Sequence, residues 1–550
     1  MATIYIDSNW SGATTGALSS PLNSFSQIAA IVQDGDTLAI KCGRDYRETL
    51  PAAAIEKNNL RIVTYGEGSR PRIMGSDRIS SWTFDPVYNV YSTNLGSNVG
   101  GNITENGIPL TFVAWNTNLA TTAPNIPVGG FSFDFNSYTL YMKPAYKIDD
   151  IFEVGTRLYG IDGLPSSFKT GMYIEGIEII GPTRQGMWWH NRGRLEICDV
   201  VVRVCGGLKG PSFWLGNGIE INRGSSGGIV RDSLIEDIFD SGISPQIYDP
   251  SPYTLLGAIV KNNTIRRCGM GGVEVSTQTA TNIISGVRVI SNSIEDIGMN
   301  NWSGNRGGTA IWTANNGGTA AAATGTLFAY NNIKRCVRGY LSGNSYGVNE
   351  CRGNLIQDCT RAFYTSKSIA SSREQRDIIT GNIAINCDEG HYQAGAEIQY
   401  TDFWNNTLIN CGTGITMTLN SNAVVSAKNN IFKGEGTAFS VSTGTLNEST
   451  NYVDFTITPG KTLDGTDMVV SLASFLTELG RLKPPFDTNS LLATGESLNN
   501  VHGDFNGKPI YPTPDIGAMQ YSPTRTISTR TLSTRTIGTR RINLRIGVVN

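Results

Sequence analysis

One short phrase limits what this chain can fold into more than any other feature. It is an Asn, usually followed two residues later by Ile or Leu, with a small, apolar or thiol residue five positions after the Asn. It reads Asn263-Thr264-Ile265-Arg266-Arg267-Cys268 and returns as Asn292 to Ile297, Asn331 to Cys336 and Asn354 to Cys359. Asn382 to Cys387, Asn406 to Cys411 and Asn429 to Gly434 carry it on, and looser copies run from Asp199 to Val204 and from Ser233 to Ile238. Successive starts lie 34, 30, 29, 39, 23, 28, 24 and 23 residues apart. Self-similarity at such a period, with variable insertions, marks a solenoid built of one coil per repeat. The phrase is rich in β-branched residues and lacks a helical period, so the coils are strands and turns. That predicts an all-β chain, a parallel β-helix.

Stacked coils place equal offsets one above another, about 4.8 Å apart. Three residues after each start the column reads Glu236, Arg266, Glu295, Lys334, Gln357, and four after it reads Asp237, Arg267, Asp296, Arg335, Asp358. Opposite charges alternate up both columns, as neighbouring side chains require, which predicts a ladder of ion pairs. Five after the start come Val204, Ile238, Cys268, Ile297, Cys336, Cys359, Cys387 and Cys411, a column fit for an apolar interior. Five of the nine cysteines stand there on different coils and no Cys-x-x-Cys occurs, so inert buried thiols are expected in place of disulfides or zinc.

Sixty-three glycines and only 16% charged residues suit many strands joined by tight turns. A net charge of −2 gives no support for nucleic acid as a partner, and no apolar run reaches the ~20 residues of a membrane span. The start, Met1-Ala2-Thr3-Ile4-Tyr5-Ile6-Asp7, lacks the basic-then-apolar order of a secretory signal, so synthesis and assembly in a cytoplasm are expected.

Residues 1–80 read as an N-terminal cap and first coils. Phe25, Ile28, Ala29 and Val32 have the spacing of one short helix over the open end, and Asp34 to Ile40 and Leu60 to Val63 are the first strands. Residues 81–165 break the pattern with short alternating strands and an Asn106-Gly107 turn, predicting a small inserted β subdomain. Residues 166–435 are the main coils. Residues 436–521 hold the last coils and a C-terminal cap, with a helix expected from Val469 to Leu482. In 522–550, Arg525, Arg530, Arg535, Arg540 and Arg545 recur every five residues without an acid, a stretch too polar to form a core alone. It is expected to order between identical chains or against a partner.

Tyr5-Ile6-Asp7, the Pro21-Leu22 turn, Gly35-Asp36-Thr37 and Tyr46-Arg47-Glu48-Thr49-Leu50 resemble the opening of right-handed parallel β-helix proteins of the pectate-lyase-like superfold. Asp504 to Pro509 followed by Asp515 to Tyr521 is similar to a phrase that closes such helices. That group contains polysaccharide lyases, glycoside hydrolases and bacteriophage tailspikes. The resemblance implies a tailspike-like homotrimer that binds and hydrolyses a bacterial surface polysaccharide. It would be carried on a virion, with the C-terminal tail docking other phage tail or baseplate proteins. Two alternatives share the fold: a polysaccharide lyase, which would need a cation such as Arg288 or Lys261 against a uronate, and a non-catalytic receptor-binding fibre.

Chemistry on a solenoid belongs to outward residues and to loops that leave the coils. Gly218-Ile219-Glu220-Ile221 and Gly272-Val273-Glu274-Val275 turn apolar neighbours inward and the Glu outward. The intermediate coil offers Gly242-Ile243-Ser244, which sets the two acids two coils apart, about 10 Å between backbones. That suits the ~6.5–9.5 Å carboxyl separation of inverting glycoside hydrolysis. Asp240 is a third catalytic candidate. Trp214, Tyr248, Trp302, Trp312, Arg288 and His190 are the candidate substrate-binding residues, aromatic faces being suited to sugars. No His, Cys and acid spacing calls for a metal, and no cofactor is expected.

Overall fold

The computed structural model describes residues 1–456 and 468–469, apart from 97–99, 116–121, 135, 149, 210–213, 250, 278, 280, 299–306, 316–321, 346, 368–373, 396, 398 and 419–421. The side chains of 114–115, 208–209, 214–215, 315, 322, 435, 452–456 and 468–469 also fall outside the described set. The expected helix from Val469 onward, the closing phrase at 504–521, the repeat at 522–550 and Trp302 therefore lie outside the described residues; Val469 itself ends a short strand, Met468–Val469.

Each coil of this right-handed parallel β-helix crosses three faces. The first is a fourteen-stranded sheet that starts at Thr3–Ile6 and Thr37–Lys41, passes through Ile229–Arg231, and ends at Thr445–Ser449. The second includes Val201–Cys205, Leu234–Ile238 and Thr264–Cys268; the third includes Met187–Trp189, Ile219–Ile221, Ser241–Ile247, Gly271–Thr277 and Thr309–Asn315. Strands of successive coils pair in parallel on every face. Alternation buries one side of each strand in a continuous apolar core.

The corner between the first and second faces is where the recurring Asn sits. Each is buried, and its Nδ2 donates to the Oδ1 of the next: Asn263 to Asn292 at 3.0 Å, Asn292 to Asn331 at 3.0 Å, Asn331 to Asn354 at 2.9 Å, Asn354 to Asn382 at 2.9 Å. The ladder continues through Asn406 and Asn430 to Asn451. The same Oδ1 also accepts the preceding Asn's backbone N–H, so one side chain per coil satisfies polar groups that a buried turn would otherwise orphan. The last copy is thus framed by Asn430, not Asn429: Thr407 pairs with Ile431, and Asn429 adopts φ 55° as a turn residue.

At the second corner the thiol column holds Cys205 where the sequence pattern put Val204, because Val201 pairs with Leu234 and Cys205 with Ile238. All nine cysteines are free and eight are buried. Val204 occupies instead the left-handed position taken in other coils by Asp237, Arg267, Asp296, Arg335, Asp358, Asn386 and Asn410, all with φ between 51° and 57°. Asn and Asp tolerate that conformation most readily. The Arg residues there are held by the predicted ladder: Arg267 to Glu236 and Asp237, both 2.7 Å, and Arg335 to Glu295 at 2.9 Å and Asp296 at 2.6 Å.

Ser24 caps a 3₁₀ helix, Phe25–Ala30, whose Phe25 and Ile28 close the N-terminal end, with Phe25 stacked on Tyr46 at 4.9 Å. Strands Ser76–Ile79 and Phe152–Gly155 bracket an insertion of mainly antiparallel strands with its own core, including Phe131, Phe133, Leu140 and Met142. It docks closely on the solenoid: the Asn102 side-chain amide donates to the Pro182 and Gly206 carbonyls. Gly207, at φ 98°, leaves no room for a side chain, since a Cβ would lie 1.7 Å from the Gly101 carbonyl oxygen.

Candidate active site

Register on the third face builds one outward column from neighbouring coils. Asp162 pairs with Trp188, Trp188 with Glu220, and Glu220 with Ser244. Ile243 pairs with Val273, which sets Ser244 beside Glu274, and Glu274 pairs with Trp312. Glu220 and Glu274 therefore stand two coil steps apart, about 10 Å along the backbone, with Ser244 between them. Each points away from the core, yet each is only 3% exposed. A solvated wall would not bury them so; the surrounding side chains do.

Side chains of this column lean onto the preceding coil, toward the residue three positions before their own neighbour there. Glu220 reaches Gln185, Glu274 reaches Ser241, and Trp312 lies over Gly271. A Cβ on Gly271 would meet the Trp312 indole nitrogen at 2.7 Å, so this position accommodates the ring only as glycine.

The two acids have different surroundings. Glu220 accepts four N–H bonds: Gln185 and Asn217 on Oε2 at 2.9 and 3.0 Å, Trp188 and Asn222 on Oε1 at 2.9 and 2.7 Å. Those donors occupy the acceptor positions of a carboxylate and hold its orientation. Glu274 accepts hydroxyls, Ser241 on Oε2 at 2.7 Å and Tyr248 on Oε1 at 2.8 Å, and Ser276 in turn donates to Tyr248 at 2.8 Å. Burial pushes the Glu274 carboxyl above its ordinary range against those hydroxyl bonds, and the Glu220 charge raises it further. Burial and the neighbouring Glu274 also keep the Tyr248 phenol protonated far beyond its usual range.

Asp240 directly precedes Ser241 and its charge acts on Tyr248, so it borders the same cluster. His190 is 1% exposed and packs edge-on against Trp188 at 4.4 Å; burial first, then Arg223 and Arg184, lower its pKa to about 3. It is a neutral imidazole. Trp188 stacks on Tyr159 at 4.9 Å, and the Arg184 guanidinium lies against both rings, 4.5 Å from Trp188 and 5.4 Å from Tyr159. The structure thus gathers Glu220, Glu274, Asp240, Tyr248, His190 and Trp312. Trp312 is 5% exposed, a packed wall and not an open platform. Arg288 does not join them: it is exposed on the first face, in strand Arg288–Ile290, and half-buried Lys261 ends another strand of that face. Trp214 belongs to a hairpin with Leu208–Lys209, its side chain outside the described residues.

Sequence reasoning missed the residues that hold Glu220. Asn217 and Asn222 flank it within one strand and turn, a visible signal, whereas Gln185 and Trp188 come from the preceding coil and emerge only once the lean of the column is known. It also missed Asp162, two steps from Glu220 on the opposite side to Glu274, whose carboxyl is pushed up by burial. Among the described residues no His, Cys, Asp and Glu group is arranged to hold a metal ion.

No family model matches the chain, and no curated protein matches it. Solved structures do. A complex of XylC with xylose is 13% identical, with a TM-score of 0.59 over 94% of this chain and 98% of that one. A glycoside hydrolase is 10% identical, with a TM-score of 0.49 over 82% and 96%. The tailspike of Pseudomonas phage phi297 is 10% identical, with a TM-score of 0.27 over 70% and 72%. The likeness is one of fold.

Proposed function

We propose that this protein hydrolyses a glycosidic bond of a polysaccharide lying across the third face, by inversion. Glu274 is the acid that protonates the leaving oxygen, and Glu220 is the carboxylate that activates a water on the opposite side of the sugar, the water displacing one of its four N–H donors. The observation that carries this is the pairing of two buried carboxyls two coils apart in unlike surroundings, one clasped by N–H donors and the other held by hydroxyls in a site that favours its protonated form. Environments that separate two carboxyls in this way assign acid and base roles. The fold shared with the xylose complex is compatible with the reading.

Incubation with capsular, O-antigen or exopolysaccharide preparations tests it. New reducing ends without ultraviolet-absorbing unsaturated ends are expected. Unsaturated ends would replace the hydrolase with a lyase, and tight binding without new ends would leave a non-catalytic receptor-binding protein. Lyase chemistry has less support, because Arg288 and Lys261 lie on another face from the acids. The homotrimeric, virion-borne part of the reading rests on the sequence resemblance and on the Arg-rich repeat. Removing residues 523–550 should change the oligomer measured by light scattering; an unchanged oligomer ends that part.

A further inference from the structure

Beyond the acids, the outward column continues from Trp312 to Leu341, Tyr364 and Tyr392. The lean persists: Tyr364 lies against Arg338, and Tyr392 against Arg361, in the preceding coil. The Arg338 guanidinium is 5.0 Å from the Tyr364 ring, that of Arg361 is 3.9 Å from the Tyr392 ring, and the two tyrosines stack at 5.4 Å. Arg361 is paired with Glu389. Arg338 is not paired with any carboxylate among the described residues. Its Nη1 makes one long contact, 3.4 Å, to the Gly307 carbonyl, and its Nε is buried without a hydrogen-bond partner.

A half-buried guanidinium whose Nε–H is buried without a partner, seated on an aromatic ring, is costly unless something arrives to satisfy it. Its planar fork matches a carboxylate or a phosphate or sulfate ester, and Tyr364, itself stacked on Tyr392, holds the guanidinium in place. Arg338 stands in the coil of Leu341, two steps beyond Glu274, within reach of one glycan chain laid along the column.

We propose that Arg338 and Tyr364 form a specificity subsite for a negatively charged sugar, so that the polysaccharide this protein takes is anionic and runs along the solenoid axis away from Glu274. The proposal rests on the glycan-hydrolase reading for its substrate, though not on the identity of the acid.

The test is capture of the Glu274→Gln protein on immobilised polysaccharides of three kinds: uronate-bearing, sulfated or phosphorylated, and neutral. An anionic member should be retained, and adding Arg338→Gln should weaken that binding at least tenfold and flatten its dependence on salt. Arg338→Lys, which keeps the charge and loses the fork, should fall between. Retention of uronate or of ester anions alone distinguishes the two sources of charge. Binding only to neutral polysaccharide, binding of an anionic one that Arg338→Gln leaves unchanged, or no retention of any anionic member overturns the subsite. Arg338-dependent capture of a glycan that the wild-type protein never cleaves would keep the subsite and remove the hydrolase. A thermal melt within a few degrees of the parent shows that the Arg338 variants are folded.

Discussion

At the scale of single residues, the proposed mechanism asks for a proton on Glu274, whose carboxyl burial pushes up. Glu274→Gln and Glu220→Gln should each lower kcat by about 10²–10⁴-fold, the range of acid–base contributions, measured as reducing ends released per unit time. Activity should fall as pH rises through the elevated Glu274 value, because the acid form is then lost. The same shift fixes the sign of a stability effect. A carboxyl whose folded pKa is raised binds its proton more tightly folded than unfolded, so its contribution to stability is complete below the ordinary carboxyl range and declines as pH rises through the folded value. Glu274→Gln should therefore melt relatively higher, against the parent, at pH 8 than at pH 4; a difference that does not change with pH would contradict the burial of an ionisable group there. The acids themselves were legible, because Ile219 and Ile221, and Val273 and Val275, define which way each Glu faces. Their clasp was not. Gln185 reaches Glu220 across 35 positions of sequence, and no pattern within one coil shows that a side chain leans onto the coil before it.

At the scale of the element, the Asn corner is the unit that stacks coils. Asn331→Ala would strip the acceptor from both the backbone N–H and the Nδ2 of Asn292 and remove the donor that meets the Val289 carbonyl. Leaving buried groups unpaired costs about 1–3 kcal/mol each, so urea unfolding should show a loss of at least ~2 kcal/mol, with little change in turnover if the solenoid remains folded. The phrase found this corner from sequence and misplaced it by one residue twice, for one physical reason. The left-handed residue at a corner favours Asn and Asp, so Asn429 imitated the ladder residue beside it. At the looser copy that begins at Asp199, that residue likewise holds φ 52° while Ser233 faces Val200.

At the scale of the whole molecule, the interior changes character along the axis. Early coils are filled by Ile, Val and Leu, whereas coils from about 340 to 401 turn Gln375, Asp377, Gln393, Gln399 and Thr401 inward, all at 1% exposure or less. Tyr340 and Gln375 donate to Asp377 at 3.0 and 2.9 Å, and burial raises its pKa. Around them the Gln375 Oε1, both amide atoms of Gln393, the His391 Nδ1 and the Thr401 hydroxyl lack protein partners. Orphans of both donor and acceptor type call for water, which is both, and not for a cation. A high-resolution crystal structure should show ordered water bridging Gln393 and Thr401; a dry interior there would contradict the assignment. Composition gave no hint of this polar interior, since an inward Gln and an outward one look alike until register is known.

The parallel stacking also makes the chemistry an integer property. On this wall, the backbone positions of the acids change separation only by whole coils. Removing the coil between Glu220 and Glu274, about residues 233–262, would bring them from two steps to one, about 4.8 Å. That is close to the ~5–5.5 Å at which a second carboxyl attacks the sugar directly and the anomeric configuration is kept. Under the inverting reading proposed above, a single in-frame deletion moves the pair to the separation of the retaining outcome.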